Sequence, residues 1–318
     1  MLLDNHEPIL IPQRREARAL DIMAVNFSYL SEINNPESIV TAIPSSPTFP
    51  EFVEGRFNRY IEFVDLFQSL IMSSSSSAEL LNKIRDPAAY KNHVRMSLLK
   101  LFRRCVSTVI DTEKSKKIKV PTSMFVEYYG HTFKDINLLK RQFSDMPDKD
   151  KYALTTLIGE YDDRGKQGYI LTDQFFTWFE DKFSEKFTIE GPRGAGKDIQ
   201  LQSIFNSFES DYPCDFIIRD IENNDVLAVG FARYDSTRGG SQSDDRTGGN
   251  NDKVMKADEF IKSSSANFKV LFLADGPGLT HRDTWNEACI LDGKLNDRVR
   301  VSSLKLANER ITEDWLRN

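Results

Sequence analysis

The chain has 318 residues, a formal net charge of −6, 40% hydrophobic and 28% charged residues, and cysteines only at Cys105, Cys214 and Cys289. This length allows one large domain or two ordinary ones, and this balance is that of a soluble globular protein. It excludes a membrane-spanning run of roughly 18 apolar residues, and cysteines that are few, odd in number and without CxxC spacing exclude a disulfide or zinc framework.

The opening stretch MLLDNHEPILIPQRREAR lacks the basic start and apolar core of a signal peptide, so the sequence predicts a reducing cytoplasm. Beyond it the first half reads helical. Phe57, Ile61, Val64, Phe67 and Ile71 follow helical spacing, as do Val94, Leu98, Leu101, Cys105 and Val109. Ser73–Ser77 between them reads as a loop. Further helices are predicted over Tyr152–Glu160 and Asp173–Phe183, the latter burying Phe175, Phe176, Phe179 and Phe183. DDRGKQGYILTDQ imitates a calcium loop with Asp163 at position 1 and Gly168 at position 6. Gly165, Gln167 and Gln174 at positions 3, 5 and 12 leave too few carboxylates, and a helix–turn–strand is expected instead.

The second half changes character. Leu201, Ile204, Phe205 and Phe208 mark a helix; CDFIIRD and VLAVGFARY, joined by IENND, read as a hairpin. DKVMKADEFIKSSS fits a helix, and FKVLFLAD and RVRVSSLKL are further strands. The order helix, hairpin, helix, strand, helix, strand predicts an α/β core with a mixed sheet. The division expected is a mainly helical region over 1–184 and the sheet-bearing core over 185–318.

Two segments carry candidate chemistry. GPRGAGKD (Gly191–Asp198) has the GxxxxGK spacing of a phosphate loop, with KFTIE as its leading strand, Lys197 as its cation and Asp275 closing a later strand. Asp198 stands where a magnesium-binding serine or threonine belongs. Its carboxylate would face phosphate charge, and unit charges about 4 Å apart repel by roughly 4 kcal/mol at an effective dielectric near 20. A nucleotide hydrolase is therefore the secondary reading. The hairpin is the other segment. Asp215 opens one strand, and the partner strand runs into a loop holding Arg233, Asp235, Arg238, Asp244, Asp245 and Arg246. Acids facing one another across a hairpin can hold magnesium, which polarises a phosphodiester and activates water. The plain alternative is a solvated hairpin whose charges do no chemistry. The net charge of −6 gives no global attraction to nucleic acid, but a local basic surface suffices. One such cluster is Arg103 and Arg104 with Lys114, Lys116, Lys117 and Lys119, which also reads as an ordinary solvated face.

GAGKDIQL, YPCDFIIRD, VLAVGFARYDSTRGGSQSDDRTGGN and VLFLADGPGLTHRDTW together resemble type II restriction endonucleases of the PD-(D/E)xK nuclease superfamily, over roughly residues 185–318. The resemblance implies a mixed-sheet, restriction-endonuclease-like α/β core. It also implies Mg2+ as cofactor, double-stranded DNA as substrate, a homodimer and a prokaryotic cytoplasm. It places Asp215 at the aspartate of the PD half-motif, with Pro213 displaced by one residue, and explains GAGKD without a nucleotide. It points to Gly230-Phe231-Ala232 as the second half-motif, with glycine where an acid is expected and alanine where lysine is expected. Two explanations stand open. One is a metal-binding acid removed at Gly230, which would trap an uncleaved complex and which Gly230→Glu should reverse. The other is a migrated site with Glu190 as second ligand and Arg233 or Lys197 as the cation. The candidate metal positions are Asp215, Glu190 and Phe231. Arg238, Gln242, Asp244, Asp245 and Arg246 are the candidate base readers, arginine for guanine, glutamine for adenine and aspartate for cytosine amino groups. A DNA-binding protein on a degenerate nuclease scaffold is the non-enzymatic alternative. The helical half is expected to clamp the duplex, to form the dimer interface, or both.

Overall fold

The structure, a computed structural model, describes residues 27–44, 46–160, 162, 165–237 and 243–318, with the backbone only for 243–248. The first half is helical as expected: α1 (Glu51–Met72), α2 (Ser77–Arg85), α3 (Asn92–Cys105), α4 (Thr112–Lys116), α5 (Thr122–Tyr129), α6 (Ile136–Phe143) and α7 (Asp148–Ile158). Val64, Phe67 and Ile71 of α1 and Leu98, Leu101 and Phe102 of α3 are fully buried in one shared core. Their spacing at three and four residues puts them on one face of each helix. Val109 lies beyond the end of α3 and is half exposed. Of the five serines only Ser73–Ser76 are loop. Ser76 caps α2 by accepting from the Glu79 N–H at 3.0 Å, which turns Ser77 into its first helical residue.

The second half is built on a five-stranded mixed sheet in the order β1-β4-β5-β6-β7. Its strands are β1 (Phe187–Glu190), β4 (Phe216–Asp220), β5 (Val226–Tyr234), β6 (Lys269–Asp275) and β7 (Val299–Ser302). A small separate ladder pairs β2 (Ile199–Gln200) with β3 (Pro213–Cys214). β1, β4 and β5 form an antiparallel meander, while β5, β6 and β7 run parallel. The parallel steps need crossovers. α9 (Ser243–Ser263) supplies the first, and α10 (Arg282–Leu291) with α11 (Lys294–Asp297) the second. α12 (Ala307–Arg310) and α13 (Glu313–Arg317) close the chain.

Strand alternation splits the apolar residues between the two faces of the sheet. Ile217, Val229, Phe231, Val270 and Phe272 pack with α9 and α10, whereas Phe216, Ile218, Ala228, Leu271 and Leu273 pack with α8 (Lys166–Phe183). The four phenylalanines expected on the buried side of α8 are there. That helix begins at Lys166, just after Gly165 at φ +81°, so the helix–turn–strand reading of DDRGKQGYILTDQ gives way to helix. Asp163 lies outside the described residues.

Two expectations need correction. The helix over Leu201–Phe208 is a single 3₁₀ turn, Leu201–Ser203, followed by irregular chain. Leu201 and Phe208 are still buried. Ser203, Asn206 and Ser207 offer the backbone alternative partners, and Ser203 Oγ takes the Gln200 carbonyl at 2.6 Å. The spacing therefore reflects burial without a helix. The division at 184/185 also shifts. α8 belongs to the core of the sheet, and so does the segment 27–44. Leu30 and Ile39 pack on one face and Ile43 on the other. The Leu30 N–H donates to Asp292 at 3.1 Å and the Thr41 N–H to Asp275 at 2.7 Å. Among the described residues no helix is long and apolar enough to cross a membrane.

Candidate active site

Asp215 sits between β3 and β4, where the chain leaves the small ladder and enters the sheet. Ile199 pairs with Cys214 in that ladder. Continued by one residue, the register sets Asp198 opposite Asp215, and side chains so opposed have Cβ atoms about 5 Å apart. Both aspartates line one cleft. Asp215 is fixed from the strand side: its N–H donates to the Gly230 carbonyl at 2.9 Å, and its Oδ2 accepts from the Ala232 N–H at 2.7 Å. Among the described residues no donor reaches its Oδ1. Burial pushes the Asp215 carboxyl above the ordinary carboxylate range, the Ala232 N–H opposes this, and the charge of Asp198 adds to it.

The balancing cation is Lys253, on the face of α9 turned to the sheet. Its Nζ lies 3.7 Å from the centroid of the Phe231 ring, within cation–π range. Its main-chain carbonyl accepts from the Tyr212 hydroxyl at 3.1 Å. Burial lowers the Lys253 pKa, while Asp215 and then Asp198 raise it. Two carboxylates and one ammonium thus share the floor of the cleft, brought together by three separate segments.

The register also decides which residues of β5 face Asp215. Phe216 pairs with Gly230, so Phe231, one step on, is the residue opposite Asp215. Phe231 and Arg233 share the face of Asp215, and Gly230 and Ala232 point to the α8 side. A Cβ on Gly230 would lie 2.0 Å from ring atoms of Phe216. The glycine is where it is because a phenylalanine ring crosses its Cα. An acid at this position would enter the α8 core, on the opposite face of the sheet from the Asp215 side chain. Phe231 offers the cleft its ring and stands paired to Phe272 of β6.

The other candidates divide plainly. Glu190, at the end of the edge strand β1, is half exposed and paired with Arg219 at 2.9 Å. It does not line the cleft with Asp215. Arg233 does line it but is paired with Asp235 at 2.7 Å. Lys197 is exposed and lies outside the cleft lining. Arg238 and Gln242 lie outside the described residues. Asp244, Asp245 and Arg246, expected in a loop, fall on the backbone of the first turns of α9.

GPRGAGKD does not form a phosphate loop. It follows an edge strand that is antiparallel to its neighbour and is succeeded by β2, so no helix N-terminus stands behind it. The loop is tied to α8 instead. Arg193 bonds Asp173 at 3.0 Å, Thr177 at 3.2 Å and Glu180. Asp275 is fully buried and accepts from the N–H groups of Thr41, Gly276 and Leu304 at 2.7 to 3.0 Å. It ties loops together and has no face open to a nucleotide. Lys197→Ala is accordingly expected to change stability by no more than about 0.5 kcal/mol, and thermal melts with ATP and magnesium should show no protection of either form.

Comparison with protein-family models, curated proteins and solved structures finds no match. The chemistry must be argued from the cleft itself. Sequence reasoning missed Asp198 as a partner of Asp215, because a two-residue ladder carries no periodic signal. It missed Lys253 because nothing in NDKVMKADEFIK separates that lysine from Lys256 and Lys262 until the face of the helix is known.

Proposed function

We propose that the chain is a magnesium-dependent endonuclease acting at specific sites of double-stranded DNA. The observation that carries this reading is the pairing of Asp198 with Asp215 in one cleft beside Lys253. The order of elements supports it from the hairpin onward: a hairpin with Asp215 at its head, a helix and a parallel strand follow the order that the resemblance implies, while a single 3₁₀ turn stands where the helix ahead of the hairpin was expected.

The donor set fits magnesium. Asp215 and Asp198 offer hard oxygen ligands, Oδ1 of Asp215 is uncommitted among the described residues, and the two like charges favour a cation between them. Among the described residues no group of three or more His, Cys, Asp or Glu could cage a metal. Magnesium does not require one, because it binds through one or two carboxylates together with water and substrate phosphate oxygens. When bound it would polarise the phosphodiester and lower the pKa of an attacking water. The protein's own share is separate. Asp215 is held in place by the Ala232 N–H, and the ladder sets Asp198 against it. Lys253, whose charged form both carboxylates favour against the effect of burial, would neutralise charge developing on the phosphorus oxygens. The lysine arrives from a helix, where the resemblance implies a strand. A homodimer working in the cytoplasm of a prokaryotic cell completes the proposal, since two-fold symmetry lets one site meet each strand of a palindrome.

The test is digestion of a long mapped DNA with magnesium by the wild type and by Lys253→Gln. The expected result is fragments at discrete positions, with the variant slower by about a hundredfold or more. Salt-sensitive duplex binding without cutting would replace the reading by that of a DNA-binding scaffold.

A further inference from the structure

The cleft does not end at the carboxylates. It continues past the C-terminal ends of β5 and β6 to α10, with a volume of about 550 Å³. That falls within the roughly 300–1,000 Å³ of sites that enclose small molecules, and is more than following a phosphate backbone requires. The α10 end has an apolar floor of Phe272, Leu279 and Ala288, with the Phe272 ring stacked on Phe231 at 5.3 Å. Asn250, Thr284 and Glu287 stand partly buried at its rim. Among the described residues none of these three side chains makes a hydrogen bond or ion pair.

Apolar walls with a few convergent polar groups hold a flat heteroaromatic ring well. We propose that this end of the cleft takes one nucleobase turned out of the duplex stack beside the phosphate at Asp215, and favours a base with an exocyclic amino group. The inference rests on the nuclease reading. A phosphate at Asp215 brings its own nucleosides to the same cavity, and a base is the part of the substrate with the shape for an apolar slot. Glu287 can accept from an amino group as acids do from cytosine, and Asn250 offers a donor and an acceptor side by side. The floor replaces part of the stacking lost when a base leaves the duplex.

The experiment uses duplexes spanning a mapped cut, with 2-aminopurine replacing each base near the cut in turn, and Asp215→Asn in place of the wild type to keep the complex whole. A several-fold fluorescence rise on binding is expected at one position. It should vanish when Ala288→Trp fills the chamber, and equally with Thr284→Trp at the rim should the first variant fail to fold. Glu287→Gln in the otherwise wild-type chain should lower kcat/KM for an amino-bearing base at that position by about tenfold to a hundredfold, the scale on which one good base contact discriminates. Cleavage by the wild type with no rise at any position overturns the chamber and leaves the nuclease reading standing. A rise that survives in a folded tryptophan variant overturns it as well. No cleavage by the wild type at all overturns both.

Discussion

Asp215→Asn is expected to reduce magnesium-dependent DNA cleavage by about a thousandfold or more, while leaving the fold intact. The asparagine keeps an oxygen to accept from the Ala232 N–H but loses the charge that a metal needs. Stability should move the other way. The folded protein raises the pKa of Asp215, first through burial, so the folded state binds this proton more tightly than the unfolded chain does. The stabilisation from that proton is present below the ordinary aspartate pKa and is lost as pH rises through the raised value. At neutral pH the ionised carboxylate is a net cost, which asparagine removes. Without metal, Asp215→Asn should therefore melt at or above the wild-type temperature at pH 7, and the advantage should shrink on acidification. Thermal melts in EDTA at a series of pH values measure this directly. A variant that loses activity and stability together would make Asp215 a structural residue.

Gly230→Glu should fail to create a metal site and should strongly destabilise the sheet. Its Cβ would stand 2.0 Å from the Phe216 ring, itself packed between Phe175 and Phe176. The carboxylate beyond it would sit unpaired in an apolar core. Overpacking together with a buried unpaired charge costs at least about 4 kcal/mol, a large share of the roughly 5–15 kcal/mol that holds a domain folded. Urea titration of the purified variant would register the loss as a shifted midpoint. A soluble Gly230→Glu protein of wild-type stability that cuts DNA would contradict the register described above.

The sheet was legible in the sequence because its strands are apolar runs bounded by turn residues. VLAVGFARY and KVLFLAD became the strands expected, and CDFIIRD did so from Phe216 onward. Asp215 stood out through the resemblance, as the carboxylate expected at the head of the hairpin. The misplacement of the second half-motif came from parity. A shift of one residue exchanges the two faces of a strand, and VLAVGFARY is apolar on both, so its alternation could not say which face meets Asp215. Asp198 and Lys253 come from a loop and a helix, and tertiary packing alone brings them to the cleft. The helix read over Leu201–Phe208 shows the converse, burial spaced like a helix in chain that is mostly irregular.

The core that surrounds the sheet is assembled from both sides of the helical half in sequence: residues 27–44 lie before α1, and everything from α8 onward after α7. The order of synthesis then matters. The helices α1 to α7 share a core of their own, whose buried residues have all been made once Ile158 is added, and Tyr60, Lys100 and Arg104 gain their partners Asp162 and Glu160 directly after it. The segment 27–44 must wait for Asp275 and Asp292, made some 230 residues or more later, because Thr41 and Leu30 bind there. The cleft cannot be complete until almost the entire chain has been made. Contacts of such long sequence separation form slowly, and domains built during translation fold from the N-terminal side first. The helical half stands finished while the sheet-bearing half is still being born.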